Sequence, residues 1–187
     1  MAKLQSVCVY CGASDSVNAI YIRLAEALGR ELAGRDIRLV YGGGGVGLMG
    51  ACARAAHERG GEVLGIMPKF LLAKERIFTD VEHRIVDDMH TRKMMMFEEA
   101  DAFIVLPGGI GTLEEAVEIL SWARLGLHAK PMAFLDEDGF WAPFFELMDH
   151  IIAGGFIPDP FRAALVHCAT PAEAITALED RRVVIDP

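Results

Sequence analysis

A glycine-rich segment in the middle of the chain has the residue types that hold a phosphate and act on a bond near it. It is LPGGIGTLEE at residues 106–115, and it follows an apolar run typical of a buried strand. Glycines let a ligand approach the backbone closely, and a helix starting here offers unpaired N–H groups and partial positive charge. The segment therefore predicts a phosphate-binding loop, with the carboxylate of Glu115 about one ribose away.

Thr112 and Glu115 also have the spacing of a helix capping box, in which two side chains bond the free N–H groups of the first turn. On spacing alone, capping is the favoured interpretation of Glu115. Against it, a turn built from proline and several glycines has a higher conformational cost than a cap requires. The sequence leaves both interpretations open, and they are not mutually exclusive.

A second glycine-rich segment, GGGGVG at residues 42–47, follows another predicted strand. It lacks the Gly-Lys-Ser/Thr ending of a P-loop but satisfies the dinucleotide pattern G-x-G-x-x-G. That pattern requires an acidic residue at the end of the next strand, whereas Glu62 stands at the start of that strand. The sequence therefore argues against a dinucleotide cofactor, and Gly43 and Gly44 are candidate contacts to a smaller ligand.

The cysteines and histidines do not form a metal-binding pattern. Cys8 and Cys11 make a C-x-x-C pair, but no second ligand pair has comparable spacing, and Cys8 lies inside an apolar strand-like run. We interpret the 4 cysteines as small apolar residues of a reduced, intracellular protein. The 6 histidines are scattered without ligand spacing, so we predict neither a metal nor another cofactor.

The elements that position these loops alternate between short apolar runs and amphipathic helical segments. This alternation predicts an α/β fold: a single Rossmann-like domain over residues 1–187, with a parallel sheet and helices on both faces. Residues 69–80 are predicted to be a surface loop. Predicted strands cover residues 6–10, 37–41, 62–67, 83–86, 102–106, 132–135 and 164–167. Predicted helices cover residues 20–34, 48–59, 88–99, a long segment ending near 125, residues 144–152, and a last helix capped by Thr170 and Glu173.

Charge and hydropathy exclude two classes of partner. The net charge of −9 argues against nucleic-acid binding, because proteins that bind a phosphate backbone carry a basic surface. It does not oppose a small phosphorylated ligand, since backbone N–H groups and one or two cations can hold one phosphate. No apolar stretch has the length of a membrane span, and we see no signal peptide before the first predicted strand. We therefore expect a cytoplasmic protein without a membrane partner.

Several motifs follow one another along the chain: CVYCGAS at 8–14, LVYGGG at 39–44, VGLMG at 46–50, MHTRK at 89–93, PGGIGTLEE at 107–115, Trp122, LG at 125–126, His128, KP at 130–131 and GFI at 155–157. In this order they resemble the Lonely Guy (LOG) family over nearly the whole sequence. Members of that family are cytokinin riboside 5′-monophosphate phosphoribohydrolases, and an older label for them is lysine decarboxylase. The older label has no support here, since no lysine lies in a recognisable pyridoxal-phosphate setting.

The resemblance implies roles for the residues of the site. Arg92 and Glu115 would be the catalytic pair, with the carboxylate stabilising the positive charge that develops on the sugar and activating water. No general acid for the departing base is identified. The other residues would hold the phosphate or line the nucleotide site: Gly108, Gly109, Gly111, Thr112, Lys93, Glu75, Ser121, Ser14, Gly43 and Gly44.

The resemblance also implies a homodimer or higher homo-oligomer, formed through the helices around residues 94–97 and Trp122. The expected reaction is hydrolysis of purine riboside 5′-monophosphates, with cytokinin nucleotides and AMP both open as substrates. An alternative of another class is a nucleotide or molybdenum-cofactor binding protein of the same fold. Such a protein needs the phosphate-binding loop but has no need of the acid at Glu115.

Overall fold

In the part of the chain that the structure describes, seven strands form one sheet in which every neighbouring pair is parallel. The computed structural model describes residues 4–73 and 76–180. The strands are β1 (Ser6–Tyr10), β2 (Arg38–Tyr41), β3 (Val63–Pro68), β4 (Glu82–Val86), β5 (Ala102–Val105), β6 (Met132–Leu135) and β7 (Val166–Cys168). Their order across the sheet is β4-β3-β2-β1-β5-β6-β7.

Helices cover both faces of the sheet, as the sequence predicts. They are α1 (Ala19–Gly34), α2 (Gly47–Glu58), α3 (Met89–Glu98), α4 (Ile110–Arg124), α5 (Ala142–Ala153) and α6 (Pro171–Asp180). One apolar core lies under α1, α2 and α6, and a second lies under α3, α4 and α5. The predicted α/β fold, a Rossmann-like parallel sheet between two helical layers, is confirmed.

Strand β1 shows why the central strands are apolar at every position. Val7 and Val9 face one core, whereas Cys8 and Tyr10 face the other, because successive side chains of a strand point to opposite faces. All 4 cysteines are buried and free of disulfides. Their interpretation as small apolar residues is confirmed.

The two glycine loops meet above the carboxyl ends of the strands, where the order of strand addition reverses. Strands β2 to β4 lie on one side of β1, and β5 to β7 lie on the other. Ligands of such sheets bind in the crevice at this switch point. The Gly12 N–H donates to the Pro107 carbonyl at 3.1 Å, and the Leu48 N–H donates to the Gly12 carbonyl at 3.0 Å. These bonds tie the loops after β1 and β5 to the start of α2.

A few boundaries differ from the sequence prediction. The last strand is Val166–Cys168 rather than 164–167, because Asp159–Ala164 forms a 3₁₀ turn. The surface loop at residues 69–80 begins with a 3₁₀ turn, Lys69–Leu71, and bridges through Ile77 to Gly44. The predicted cap of the last helix is confirmed: Glu173 accepts from the Thr170 N–H at 3.2 Å and donates its own N–H to the Thr170 hydroxyl at 3.3 Å.

Candidate active site

Helix α4 starts directly after the glycine loop and is not capped by a side chain. Its N-cap is Gly109, and the helix begins at Ile110. The capping-box interpretation of Thr112 and Glu115 is therefore wrong, because both residues lie inside the helix rather than at its cap. Without a side-chain cap, the first N–H groups of α4 keep the anion-binding capacity that the sequence predicts.

The glycines of this loop have two different reasons for being glycine. A Cβ at Gly108 would lie 2.2 Å from the Thr112 hydroxyl oxygen, so only glycine fits against the buried Thr112. A Cβ at Gly109 or Gly111 would meet no atom within 4 Å. Gly108 is thus required for packing, whereas Gly109 and Gly111 leave open space in front of the helix start, where a ligand can approach the backbone.

The guanidinium of Arg92 reaches from α3 to the sheet, where backbone carbonyls of β3 and of the residue after β2 hold it. Asp88 caps α3 by accepting from the Thr91 N–H at 2.8 Å. Arg92 Nε then donates to the Ile66 carbonyl at 3.1 Å, and Nη2 donates to the Gly42 carbonyl at 2.9 Å. A Cβ at Gly42 would lie 2.1 Å from Arg92 Nη2, so the arginine itself explains this glycine. Only 5% of Arg92 is exposed.

Glu115 is buried one turn inside α4, facing Arg92. Its Oε1 lies 4.0 Å from Arg92 Nη1, and the residue is 6% exposed. Burial raises the pKa of the Glu115 carboxyl from 4.5 to about 7, and the nearby Arg92 charge only partly opposes this shift. Desolvation by burial is the larger of these two effects on the Glu115 carboxyl. Glu115 therefore exchanges a proton near neutral pH, as an acid–base group must.

Lys93, the neighbour of Arg92, contacts α4 rather than the glycine loop. Its ammonium donates to Glu114 Oε1 at 2.7 Å and to Glu118 Oε1 at 2.9 Å. Ser121 lies farther along α4 and is exposed. The structure thus groups Lys93 with carboxylates of α4, next to the catalytic pair that the sequence predicts.

The remaining predicted residues lie on three segments. Ser14 is exposed in the loop after β1. Gly43 is buried with a φ of +84°, a conformation that favours glycine, and its carbonyl lies 3.2 Å from His83 Nε2. Gly44 is buried and pairs with Ile77. Glu75 lies outside the described residues.

Within residues 4–73 and 76–180, no group of three or more His, Cys, Asp or Glu side chains is placed to hold a metal ion. Over the same ranges, no helix is both long and apolar enough to cross a bilayer.

Sequence comparisons identify the relatives of the chain. Residues 49–178 match the family described as "Possible lysine decarboxylase". The chain is 45% identical over 180 residues to the probable cytokinin riboside 5′-monophosphate phosphoribohydrolase LOGL2 of Oryza sativa subsp. japonica, covering 96% of this chain and 74% of that one. It is 43% identical to the phosphoribohydrolase LOG3 of Arabidopsis thaliana, covering 96% and 84%. The chain belongs to the LOG family.

Solved structures share the fold of this LOG-family chain at much lower identity. The molybdenum cofactor binding protein of Rippkaea orientalis superposes with a TM-score of 0.72 at 19% identity, over 96% of this chain and 98% of that one. The molybdenum cofactor carrier protein of Chlamydomonas reinhardtii gives 0.69 at 20% identity, over 95% and 98%. At such identities the likeness shows the fold alone.

The structure adds residues to the site that sequence reasoning missed. A cavity of about 440 Å³ opens beside Gly108 and Gly109. It is walled by Tyr21 and Phe140, whose rings meet edge to face at 5.6 Å, and the Tyr21 hydroxyl donates to Asp138 at 2.8 Å. No local pattern in the sequence marks this pair, because α1 and the loop after β6 meet only in the folded chain. A polar run directly after a strand, as at residues 136–139, is the one signal that points to this loop.

Proposed function

We propose that this LOG-family chain hydrolyses the N-glycosidic bond of purine riboside 5′-monophosphates, cytokinin nucleotides among them, to the free base and ribose 5-phosphate. The observation that carries the proposal is the buried pair of Arg92 and Glu115 beside the uncapped start of α4. Relatives with 42–45% identity are named for this reaction. A cytoplasmic location is part of the same proposal.

The 5′-phosphate would bind at the start of α4. The N–H groups at residues 109–112 lack a side-chain cap, and the partial positive charge of the helix start favours an anion. The open space at Gly109 and Gly111 gives the phosphate access to these groups. Backbone groups can bind the phosphate despite the chain's net charge of −9, because they act at short range.

Glu115 would act on the sugar. As the bond between C1′ and the base nitrogen breaks, its electron pair leaves with the base, and positive charge develops on the ribose. Ionised Glu115 stabilises that charge and takes a proton from the attacking water, whose oxygen bonds to C1′. A carboxyl with a pKa of about 7 can then pass this proton to the departing base. Glu115 thereby supplies the general acid that the sequence analysis did not identify.

Arg92 would set the position and charge state of Glu115. The carbonyls of Ile66 and Gly42 fix two guanidinium nitrogens, which leaves Nη1 facing the carboxylate at 4.0 Å. At that separation the pair attracts without a tight hydrogen bond, so the carboxylate remains able to accept a proton. Arg92 is thus held by the sheet, independently of Glu115.

The experiment is incubation of the purified protein with AMP and with isopentenyladenosine monophosphate, followed by chromatography for free base and ribose 5-phosphate. Release of both products in equal amounts supports hydrolysis. Binding without product would favour the alternative, a nucleotide or molybdenum-cofactor binding protein. That alternative is weaker, because the molybdenum-cofactor proteins share only 19–20% identity with this chain.

We further propose that the chain forms a homodimer through α4 and α3. Large apolar side chains are exposed along this surface: Ile110 is 83% exposed and Val117 is 45% exposed on α4, and Met94 is 42% exposed on α3. Leu125 and Leu127 extend the surface past the end of α4. Exposed apolar patches of this kind mark association surfaces. Sedimentation equilibrium tests the proposal, with Val117→Glu expected to yield monomers; a monomeric wild type would refute it.

A further inference from the structure

Lys93 has no part in the mechanism above, yet it makes the shortest ion pairs between α3 and α4. Its ammonium lies 2.7 Å from Glu114 and 2.9 Å from Glu118, and 13% of its side chain is exposed. Among the described residues, the other ion pair that joins these helices is Arg92 with Glu115, at 4.0 Å. Lys93 thus brings a positive charge to the two carboxylates that lie on either side of Glu115 along α4.

Lys93 also balances the charge around Glu115. The carboxylates of Glu114 and Glu118 raise the pKa of Glu115, whereas Arg92 and Lys93 lower it. Without Lys93, three carboxylates within two turns of α4 would face one arginine. That negative charge would also oppose the approach of a phosphorylated substrate. The groups that face Glu115 from β1 are Cys8 and Tyr10, which burial keeps uncharged by raising their pKa values. Cys11 follows β1 and lies in the other core, and burial raises its pKa in the same way.

We propose that Lys93 is a positioning residue: through its ion pairs with Glu114 and Glu118 it neutralises the two carboxylates beside Glu115. This inference rests on the proposed function. It differs from the role implied by the family resemblance, in which Lys93 lines the nucleotide site. Here its short contacts run to α4, and its effect on catalysis passes through Glu115.

The two roles are separated by removing the carboxylates together with the lysine. Lys93→Met is expected to lower kcat/KM at pH 7 about fivefold and to move the rise of its pH profile upward by about one pH unit. The triple variant Lys93→Met, Glu114→Gln, Glu118→Gln is expected to recover most of the activity and the original pH profile, because the unbalanced charges are gone. A lysine that contacts the nucleotide cannot be replaced in this way. A triple variant as impaired as the single one would overturn the proposal.

A second measurement does not depend on turnover. The free energy of unfolding is measured across pH for the wild type, for Lys93→Met and for the triple variant, each with and without Glu115→Gln. The difference that Glu115→Gln makes in each protein reports the titration of Glu115 in the folded state. In the Lys93→Met protein, the pH at the midpoint of this difference is expected to be higher than in the wild type. In the triple variant, the midpoint is expected at the wild-type pH. An unmoved midpoint contradicts the proposal even if the wild type releases no base, so the two proposals can fail separately. Lys69→Met, an exposed lysine paired with Asp87, is the matched control and should change neither readout.

Discussion

Glu115→Gln is expected to stabilise the protein above neutral pH while removing most of its activity. Glutamine keeps the shape of the side chain and removes the buried charge. In the folded protein the pKa of Glu115 is raised from 4.5 to about 7, so the folded state binds the proton more tightly than the unfolded chain. The wild type therefore loses stability as pH rises between these two values. At 1.36 kcal/mol per pKa unit, the loss in its free energy of unfolding amounts to about 3 kcal/mol.

The expected signature is a pH-dependent difference between variant and wild type. Near pH 4.5 the two should have similar free energies of unfolding, since Glu115 is protonated in the folded state. At pH 8 the variant should be more stable by up to about 3 kcal/mol, or roughly 6–12 °C in Tm for a chain of this size. Arg92 keeps its bonds to the Gly42 and Ile66 carbonyls, so its own burial is not left uncompensated.

Urea denaturation followed by circular dichroism at pH 4.5, 6, 7 and 8 measures this difference, because contributions of unchanged groups cancel between the two proteins. Glu26→Gln is the matched control, since its half-exposed carboxylate lies on α1, is paired with Arg30 and should add little. In parallel, kcat should fall by about 10²–10⁴. A stability difference that does not vary with pH, or a variant less stable than wild type at pH 8, would refute the reasoning from burial.

Three other predictions concern the same site. The kcat/KM of the wild type should rise about tenfold per pH unit below about pH 7 and level off above it, because the ionised form of Glu115 activates water. A flat profile of kcat/KM from pH 5.5 to 8 would contradict this role. Arg92→Ala should lower kcat, and it should leave the Gly42 carbonyl without a hydrogen bond. The expected loss in the free energy of unfolding, measured in urea, is about 1–3 kcal/mol. Unchanged kinetics would show that Arg92 has no role in catalysis. Gly108→Ala should lower Tm and weaken AMP binding in calorimetry, because its Cβ displaces Thr112. Gly109→Ala should fold with unchanged Tm because its Cβ meets no atom, so equal Tm losses in the two variants would contradict the packing argument.

Much of the site could be predicted from the sequence because its signals are local. The alternation of apolar runs and helical segments specified the parallel sheet, and the motifs specified the family. The glycines at 108, 109 and 111 indicated a loop whose N–H groups start a helix. The spacing of Thr112 and Glu115 gave a wrong prediction of a capping box. The same spacing occurs in a sequence whether the helix starts at the threonine or before it.

The chemical state of the site was decided only by the tertiary structure. Arg92 is fixed by carbonyls at the ends of β2 and β3, which reach it because parallel strands end at one edge of the sheet. Glu115 titrates near neutral pH because packing removes it from water, and burial depends on every element that covers it. The family resemblance implies that Lys93 lines the nucleotide site, and the structure shows its ammonium paired with two carboxylates of α4. Spacing along a chain relates residues a turn apart, whereas desolvation and ion pairing between helices arise only when the sheet brings distant segments together.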